Sequence, residues 1–249
     1  GGSGVQRTSK FVKYLRNFDW EPVVLTRTLG RMELRDDSLL RDIPEGTRVY
    51  RTRAWDFNVW PGILKLPGKF IARKVLIPDG ERLWQLSARK AAEKIIREEN
   101  IDLVYTTSYP YSAHLLGLHL KKVFPDIPWV ADFRDEWMNN PYLLDNPHYR
   151  LRMKIEAKME RQVLSNADCL ITNTPVMLNN FVTNHEDLNL RNKFFCIPNG
   201  FDPDDFHEVT GEKPSNEKFT ITYTGALYGR RKPDTFLAAL GKLVREGAV

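Results

Sequence analysis

The sequence predicts an α/β fold in which a parallel sheet is flanked by helices. Two observations carry that expectation. Short apolar runs alternate along the chain with amphipathic stretches of helical period, the pattern of repeated βα units. The composition, 42% hydrophobic and 28% charged over 249 residues, suits a globular chain with a sizeable core.

The elements follow in order. Gly1 to Gly4 lead into a helical stretch, Val5–Phe18, in which Val5, Phe11, Val12 and Leu15 recur at helical spacing. Pro22–Thr26 reads as a buried strand, and Arg48–Arg53 alternates like another. From Trp55 to Asp79 the pattern is irregular and rich in aromatics, Pro and basic residues. Glu81–Glu99 then reads as a helix with Leu83, Leu86, Ala91 and Ile95 on its inner side, followed by the strand Ile101–Thr106 and the helix Ser112–Val123. Trp129–Phe133 is the next strand, Pro147–Ser165 a charged helix and Cys169–Asn173 a strand. Thr174 is a natural N-cap for the following helix, with Pro175 at its first position. Phe194–Pro198 is a strand ending in the turn Asn199-Gly200.

The stretch after Phe201 is acidic, polar and contains Pro and Gly, which marks a linker. The expected organisation is a domain over residues 1–201, a linker over 202–217 and the start of a second domain over 218–249. In that last part Phe219–Thr224 reads as a strand and Pro233–Arg245 as a helix. One βα unit cannot form a core alone, so the pattern predicts about 100 to 150 further residues of second domain beyond Val249.

Charge and composition narrow the classes of function. Residues 1–100 carry 20 Lys+Arg against 13 Asp+Glu, a difference of +7, and the remainder carries 17 against 19, a difference of −2. A basic N-terminal part can face an anionic membrane, a phosphorylated substrate or only solvent. It carries no recognisable nucleic-acid recognition module, so a nucleic-acid partner is not expected. No apolar run reaches the roughly 18 to 20 residues of a membrane span, and no secretion-signal pattern opens the chain. Cys169 and Cys196 lie in apolar runs and are expected to be buried, reduced thiols of a cytoplasmic protein. The chain has no GxSxG elbow, P-loop or HExxH. Its five histidines show no ligand spacing, so neither metal nor cofactor is expected.

Five loops could carry chemistry. Gly1-Gly2-Ser3-Gly4 heads a helix, with Arg7 close behind. Glycines admit a close ligand, and free amides at a helix start attract phosphate; the same four residues also read as an engineered linker scar. Ser108-Tyr109-Pro110-Tyr111-Ser112-Ala113-His114 follows a strand, where ligands of open α/β sheets bind; alternatively, Ser112 caps the next helix and the tyrosines pack. Asp132-Phe133-Arg134-Asp135-Glu136-Trp137 closes the strand Trp129–Phe133. Alternation points Asp132 and Arg134 to one face and Asp135 to the other. A carboxylate there can orient or deprotonate an acceptor hydroxyl, or simply pair with arginine to hold the loop. The fourth loop is the turn Asn199-Gly200. In the fifth, Gly225 precedes Arg230, Arg231 and Lys232 ahead of a helix, which suits either a diphosphate grip or a solvated basic loop.

Taken in order, these motifs resemble the glycosyltransferase family 4 group of GT-B enzymes, and most of all the bacterial transferases of surface-polysaccharide assembly. GGSGVQR resembles the glycine-rich first loop of that family, without the strand that normally precedes it. IPDGERLW, TSYPYSAH and WVADFRDEW look like its acceptor-domain signatures. ERQVLSNADCLITNT and IPNGFDPDDF resemble the end of the first domain and the crossover, and YTGALYGRRKP the first loop of the donor domain.

The resemblance implies a Rossmann-like parallel sheet flanked by helices, the N-terminal domain of a GT-B fold, plus one βα unit of the second domain. It implies a nucleotide-sugar donor as co-substrate, a glycan or lipid-linked acceptor, no metal, and transfer with retention of configuration. On it, Gly2 and Gly4 approach the donor diphosphate, and Arg231, with Arg230 or Lys232 as substitutes, neutralises the leaving group. Asp132 and Asp135 are the catalytic candidates, contacting the acceptor or the transferred sugar with Ser112 and His114 nearby. Arg7, Ser108, Arg134, Asn199 and Gly225 complete the expected substrate contacts. The family's paired donor-domain glutamates are expected beyond Val249, so this polypeptide alone is expected to give no turnover.

In this light the segment Trp55–Lys74 has two readings. Lys65, Lys69, Arg73 and Lys74, mixed with Trp60, Leu64, Leu66, Phe70 and Ile71, can rest on the anionic inner face of the plasma membrane or pack on the domain. Two other functions fit the same motifs: a non-catalytic carbohydrate-binding or scaffold domain, and another GT-B enzyme such as a nucleotide-sugar epimerase.

Overall fold

The computed structural model describes residues 3–28, 38–54, 75–145, 147–206, 220–225, 227 and 231–248. The chain divides into two compact units, Gly1–Asp202 and Pro203–Val249. The segment Trp55–Lys74 lies outside the described residues.

In the first unit, helix α1 (Ser3–Leu15) runs into a 3-10 turn, Arg16–Phe18. Ser9 and Val12 are its buried positions, while Val5 is 47% exposed, so the expected apolar stripe begins only after the first turn. Strands β1 (Val23–Arg27) and β2 (Arg48–Thr52) form a parallel pair, Val23 opposite Arg48.

Helix α2 (Trp84–Glu98) follows a 3-10 turn, Gly80–Leu83, that is capped by Asp79. Its buried face is Trp84, Gln85, Ala88, Ala92, Ile95 and Ile96. This corrects the expected inner face, since Leu86 is 68% exposed. Two polar groups set the phase. The Trp84 indole N–H donates to Thr52 Oγ1 at 2.7 Å, and the Gln85 amide donates to the Ser112 carbonyl. Buried polar atoms that keep partners incur little penalty.

Strand β3 (Val104–Ser108), helix α3 (Ser112–Val123), strand β4 (Trp129–Phe133), the short helix α4 (Pro141–Asp145), helix α5 (Arg150–Asn166), strand β5 (Cys169–Thr172), helix α6 (Pro175–Asn184) and strand β6 (Phe194–Cys196) complete the unit. The four strands β3-β4-β5-β6 form one parallel sheet in sequence order. β3 starts later than expected and runs on through Thr107 and Ser108. Thr174 caps α6 by accepting from the Met177 amide at 3.2 Å, with Pro175 in the first turn.

Alternation sorts the sheet into two faces. Thr106 and Phe133 point to the side where α3 presents His114. Tyr105 points to the other side, where it meets Phe11 of α1. The α3 side holds the main core, including Trp129, Phe133, Trp137, Leu164, Leu170 and Phe181. A second core joins α2 and α3 to Leu25 of β1 and Val104 of β3. Gly117 lets the Trp129 indole lie against α3, since an added Cβ would stand 2.3 Å from that ring. Cys169 and Cys196 are free and half-buried rather than buried.

Helix α5 buries charge. Arg152, Glu156 and Glu160, one helical turn apart, are each 3% exposed. Glu156 pairs with Arg152 at 2.6 Å and His148 at 3.0 Å, and accepts from the Trp137 indole at 3.1 Å. Glu160 accepts from the Met138 amide at 2.8 Å and meets His185 at 3.0 Å.

In the second unit, helix α7 (Asp234–Arg245) forms, but the expected strand Phe219–Thr224 does not: Thr220 to Thr224 carry no strand and are exposed. Extended residues become a strand only when a neighbour completes the hydrogen-bond ladder, and none of the described residues pairs with them. Among the described residues, no helix is long and apolar enough to cross a membrane.

Candidate functional site

The carboxyl ends of β3 and β4 meet the first turns of α1 around Asp132. This carboxylate is fully buried and receives four donors. Arg7 approaches it twice, Nε at 2.9 Å and Nη2 at 3.1 Å; Tyr105 Oη lies at 2.5 Å and Thr107 Oγ1 at 3.1 Å. In register, Thr107 stands opposite Asp132 and Tyr105 opposite Val130, so both hydroxyls share the α1 face with Asp132. Burial lowers the affinity of the Arg7 guanidinium for its proton, but the hydrogen bonds and charge of Asp132 outweigh it and raise the pKa. Burial first, then the charge of Asp132, holds the Tyr105 phenol far above its ordinary value. Asp132 is therefore an ion-paired centre whose oxygens are already committed.

Arg7 also extends to the turn after β6, donating from Nη1 to Asn199 Oδ1 at 3.2 Å and to the Pro198 carbonyl at 3.3 Å. Beside it, Arg134 ties three segments together. Its Nη1 donates to the Gly4 carbonyl, Nε to the Ser108 carbonyl and Nη2 to the Tyr109 carbonyl at 2.8 Å. Its own carbonyl accepts from Asn173 at 2.8 Å. A Cβ on Gly4 would lie 2.5 Å from Arg134 Nη1, so a side chain here would push the guanidinium away from the helix start. Asp132 and Arg134 thus both reach α1, as alternation requires, whereas Asp135 is exposed just past the strand end.

The structure brings Gly4, Arg7, Ser108, Asp132, Arg134 and Asn199 into one hydrogen-bonded constellation. It sets Ser112 and His114 apart, buried on the α3 side of β3. Ser112 does not cap its helix through its side chain: its hydroxyl donates to Asp79 Oδ1 at 2.5 Å and its amide to Asp79 Oδ2 at 2.9 Å. Burial raises the Asp79 pKa, against the lowering effect of these hydrogen bonds. His114 Nδ1 lies 2.9 Å from Thr106 Oγ1, and burial lowers its pKa to about 3, so the ring stays neutral. Ser108 Oγ and His114 Nε2 are buried without a partner among the described residues. Gly225, Arg231 and Lys232 belong to the second unit, where both cations are exposed. Gly2 and Arg230 lie outside the described residues.

Three positions escaped the sequence reading. Tyr105 and Thr107 are ordinary strand residues by composition, and only pairing with β4 turns them toward Asp132. Asp79 had a signal, an Asp-Gly pair directly before a helix. Glu136 pins the loop after β4, accepting from Asn180 at 2.6 Å and from Asn139, while its carbonyl accepts from Tyr111 at 2.6 Å.

Residues 2–200 match the family described as the Glycosyl transferase 4-like domain. The chain belongs to that family. Among solved structures, apo UGT2 of Phytolacca americana is similar with a TM-score of 0.51 and 13% identity, covering 80% of this chain and 50% of that one. At that identity the likeness shows the fold alone, an α/β architecture of the GT-B glycosyltransferase kind. The chain spans about half the length of that structure. No curated protein matches.

Proposed function

We propose that this glycosyl transferase 4-like chain forms the acceptor side of a glycosyltransferase that moves a sugar from a nucleotide-sugar to a glycan or lipid-linked acceptor in polysaccharide biosynthesis, with retention of configuration. The observation that carries the reading is the convergence on one sheet edge of the helix start at Gly4, the strand ends at Ser108 and Asp132, and the turn at Asn199. In open α/β sheets this edge is where ligands bind.

In this proposal the start of α1 faces the donor diphosphate, with amides and helix dipole favouring negative charge. Arg7 and Asp132 are positioning residues that fix α1 against the sheet. Asp135, exposed at the end of β4, is the carboxylate placed to meet an acceptor hydroxyl. Arg231, with Arg230 or Lys232 as substitutes, supplies positive charge to the leaving group from the second domain. We keep the division at residues 1–201, 202–217 and 218–249, and assign peripheral contact with an anionic membrane to Trp55–Lys74.

The test is sugar transfer from radiolabelled nucleotide-sugars to lipid-linked saccharides, with the full-length protein. Transfer that needs both substrates is expected, and Asp135→Asn is expected to lower it roughly 100-fold with the fold unchanged. Unchanged transfer by that variant removes Asp135 from the site. Free epimerised nucleotide-sugar without an acceptor, or glycan binding without any nucleotide requirement, overturns the transferase reading.

A further inference from the structure

On the face of the sheet opposite α1, helices α2, α3 and α5 and the turn before α2 line an open recess of about 330 Å³. Arg82, Arg89 and Lys122 stand around it, and Leu115, Leu118 and Met159 supply its apolar wall. We infer that this recess binds a phosphate monoester carrying a small apolar group. The inference rests on the first unit alone and is independent of the transferase reading.

Among the described residues no carboxylate pairs directly with these cations, and Asp79 acts on Arg82 only through its charge. Arg82 and Arg89 both donate to one neutral acceptor, Gln85 Oε1, the Arg89 contact being 3.4 Å. Gln85 cannot turn to offer more, because it is 1% exposed and its amide nitrogen is spent on the Ser112 carbonyl. Arg89 Nε is buried with no partner among the described residues. None of the described residues lining the recess is acidic. Glu93, one turn after Arg89 on α2, is engaged by the His119 ring at 2.8 Å. Burial, and then the charge of Arg89, lowers the Arg82 pKa, with Asp79 opposing. An ordinary solvated arginine keeps its donors in water; a buried donor without a partner is costly until an acceptor arrives.

The chemistry of the missing acceptor follows from the donors. Guanidinium forks match phosphate oxygens in paired hydrogen bonds, and three cations suit a dianion. The wall of Leu115, Leu118 and Met159 gives an apolar substituent a place to be buried. A recess lined by three helices fits a small group better than the flat face of an acidic protein.

The test is a 31P NMR titration with phenyl phosphate and with inorganic phosphate at constant ionic strength. Saturable binding is expected, several-fold tighter for phenyl phosphate because of the apolar wall. Arg89→Gln is expected to weaken it about tenfold or more, while Lys90→Gln, an exposed neighbour on α2, leaves it unchanged. Arg82→Gln serves as second variant if Arg89→Gln alters the circular dichroism. Co-sedimentation with phosphatidate-containing and pure phosphatidylcholine vesicles then separates the sources. Phosphatidate-dependent binding lost in Arg89→Gln assigns a lipid headgroup, and soluble binding alone assigns a free phosphate ester. Absence of saturable binding to either anion and of Arg89-dependent vesicle binding overturns the inference, as does unchanged affinity in both arginine variants.

Discussion

At Asp132, on the α1 face of the sheet, a buried carboxylate meets a guanidinium and two hydroxyls. At Arg82 and Arg89, on the opposite face, two guanidiniums share one amide oxygen. The first cluster is closed: its charges cancel and its hydrogen bonds are made, so its work is to hold α1, β3, β4 and the 198–199 turn in place. The second is open, with positive charge in excess and a buried N–H unspent. Compensation within the chain marks a structural centre, and its absence marks a place for something that arrives.

Breaking the closed cluster has the largest expected effect. Asp132→Asn leaves the Arg7 guanidinium buried beside a neutral group, and is expected to cost about 3–5 kcal/mol of stability in urea unfolding. Replacing both partners with apolar residues, Arg7→Met with Asp132→Leu, is expected to recover much of that loss. If the single variant unfolds like the native protein, the closed cluster does not hold the edge together.

His114 sharpens the comparison through pH. Folded His114 stays neutral down to about pH 3, whereas an unfolded imidazole takes up a proton below about pH 6.5. The unfolded state therefore binds more protons in that window. The stability due to neutral His114 is complete above about pH 6.5 and falls by about 1.4 kcal/mol per pH unit on acidification towards pH 3. Chemical denaturation across this range is expected to be shallower by that amount in His114→Gln.

Gly117→Ala comes next. It is expected to lose about 1–3 kcal/mol by forcing the Trp129 indole off α3, read as a drop in thermal midpoint. The smallest effect belongs to the open cluster. Arg89→Gln removes one of two crowded cations, and its stability is expected within about 0.5 kcal/mol of native. A loss as large as that of Asp132→Asn would place Arg89 among the structural charges.

Much of the fold was legible because the apolar code is local. The bounds of α3 and β4 and the Thr174 cap of α6 coincide with the sequence reading. The misses share a cause, which is that buried polarity does not show in a hydropathy pattern. Leu86 was taken for core and β3 was ended before Thr107 and Ser108, because each assignment weighed the side chain without its partner. On α5, which the sequence shows only as a charged helix, Arg152, Glu156 and Glu160 belong to the buried face. At the candidate site, chain order singled out Gly4, Arg7, Asp132, Arg134 and Asn199. That Asp132 is consumed by Arg7, Tyr105 and Thr107 depends on strand register, which no single segment encodes.

The reach of Arg7 has a consequence for how the protein is made. Its partners lie 125, 191 and 192 positions further along the chain. Ribosomes add about 5–20 residues per second, so the first helix waits roughly 10 to 40 seconds for residue 199 to emerge. For about the first 6 to 25 seconds of that wait, until Asp132 is made, α1 has neither its ion pair nor its seat on the sheet. The sheet edge that gathers the candidate residues is therefore completed late in the synthesis of the unit, although α1 is made well before the strands it joins.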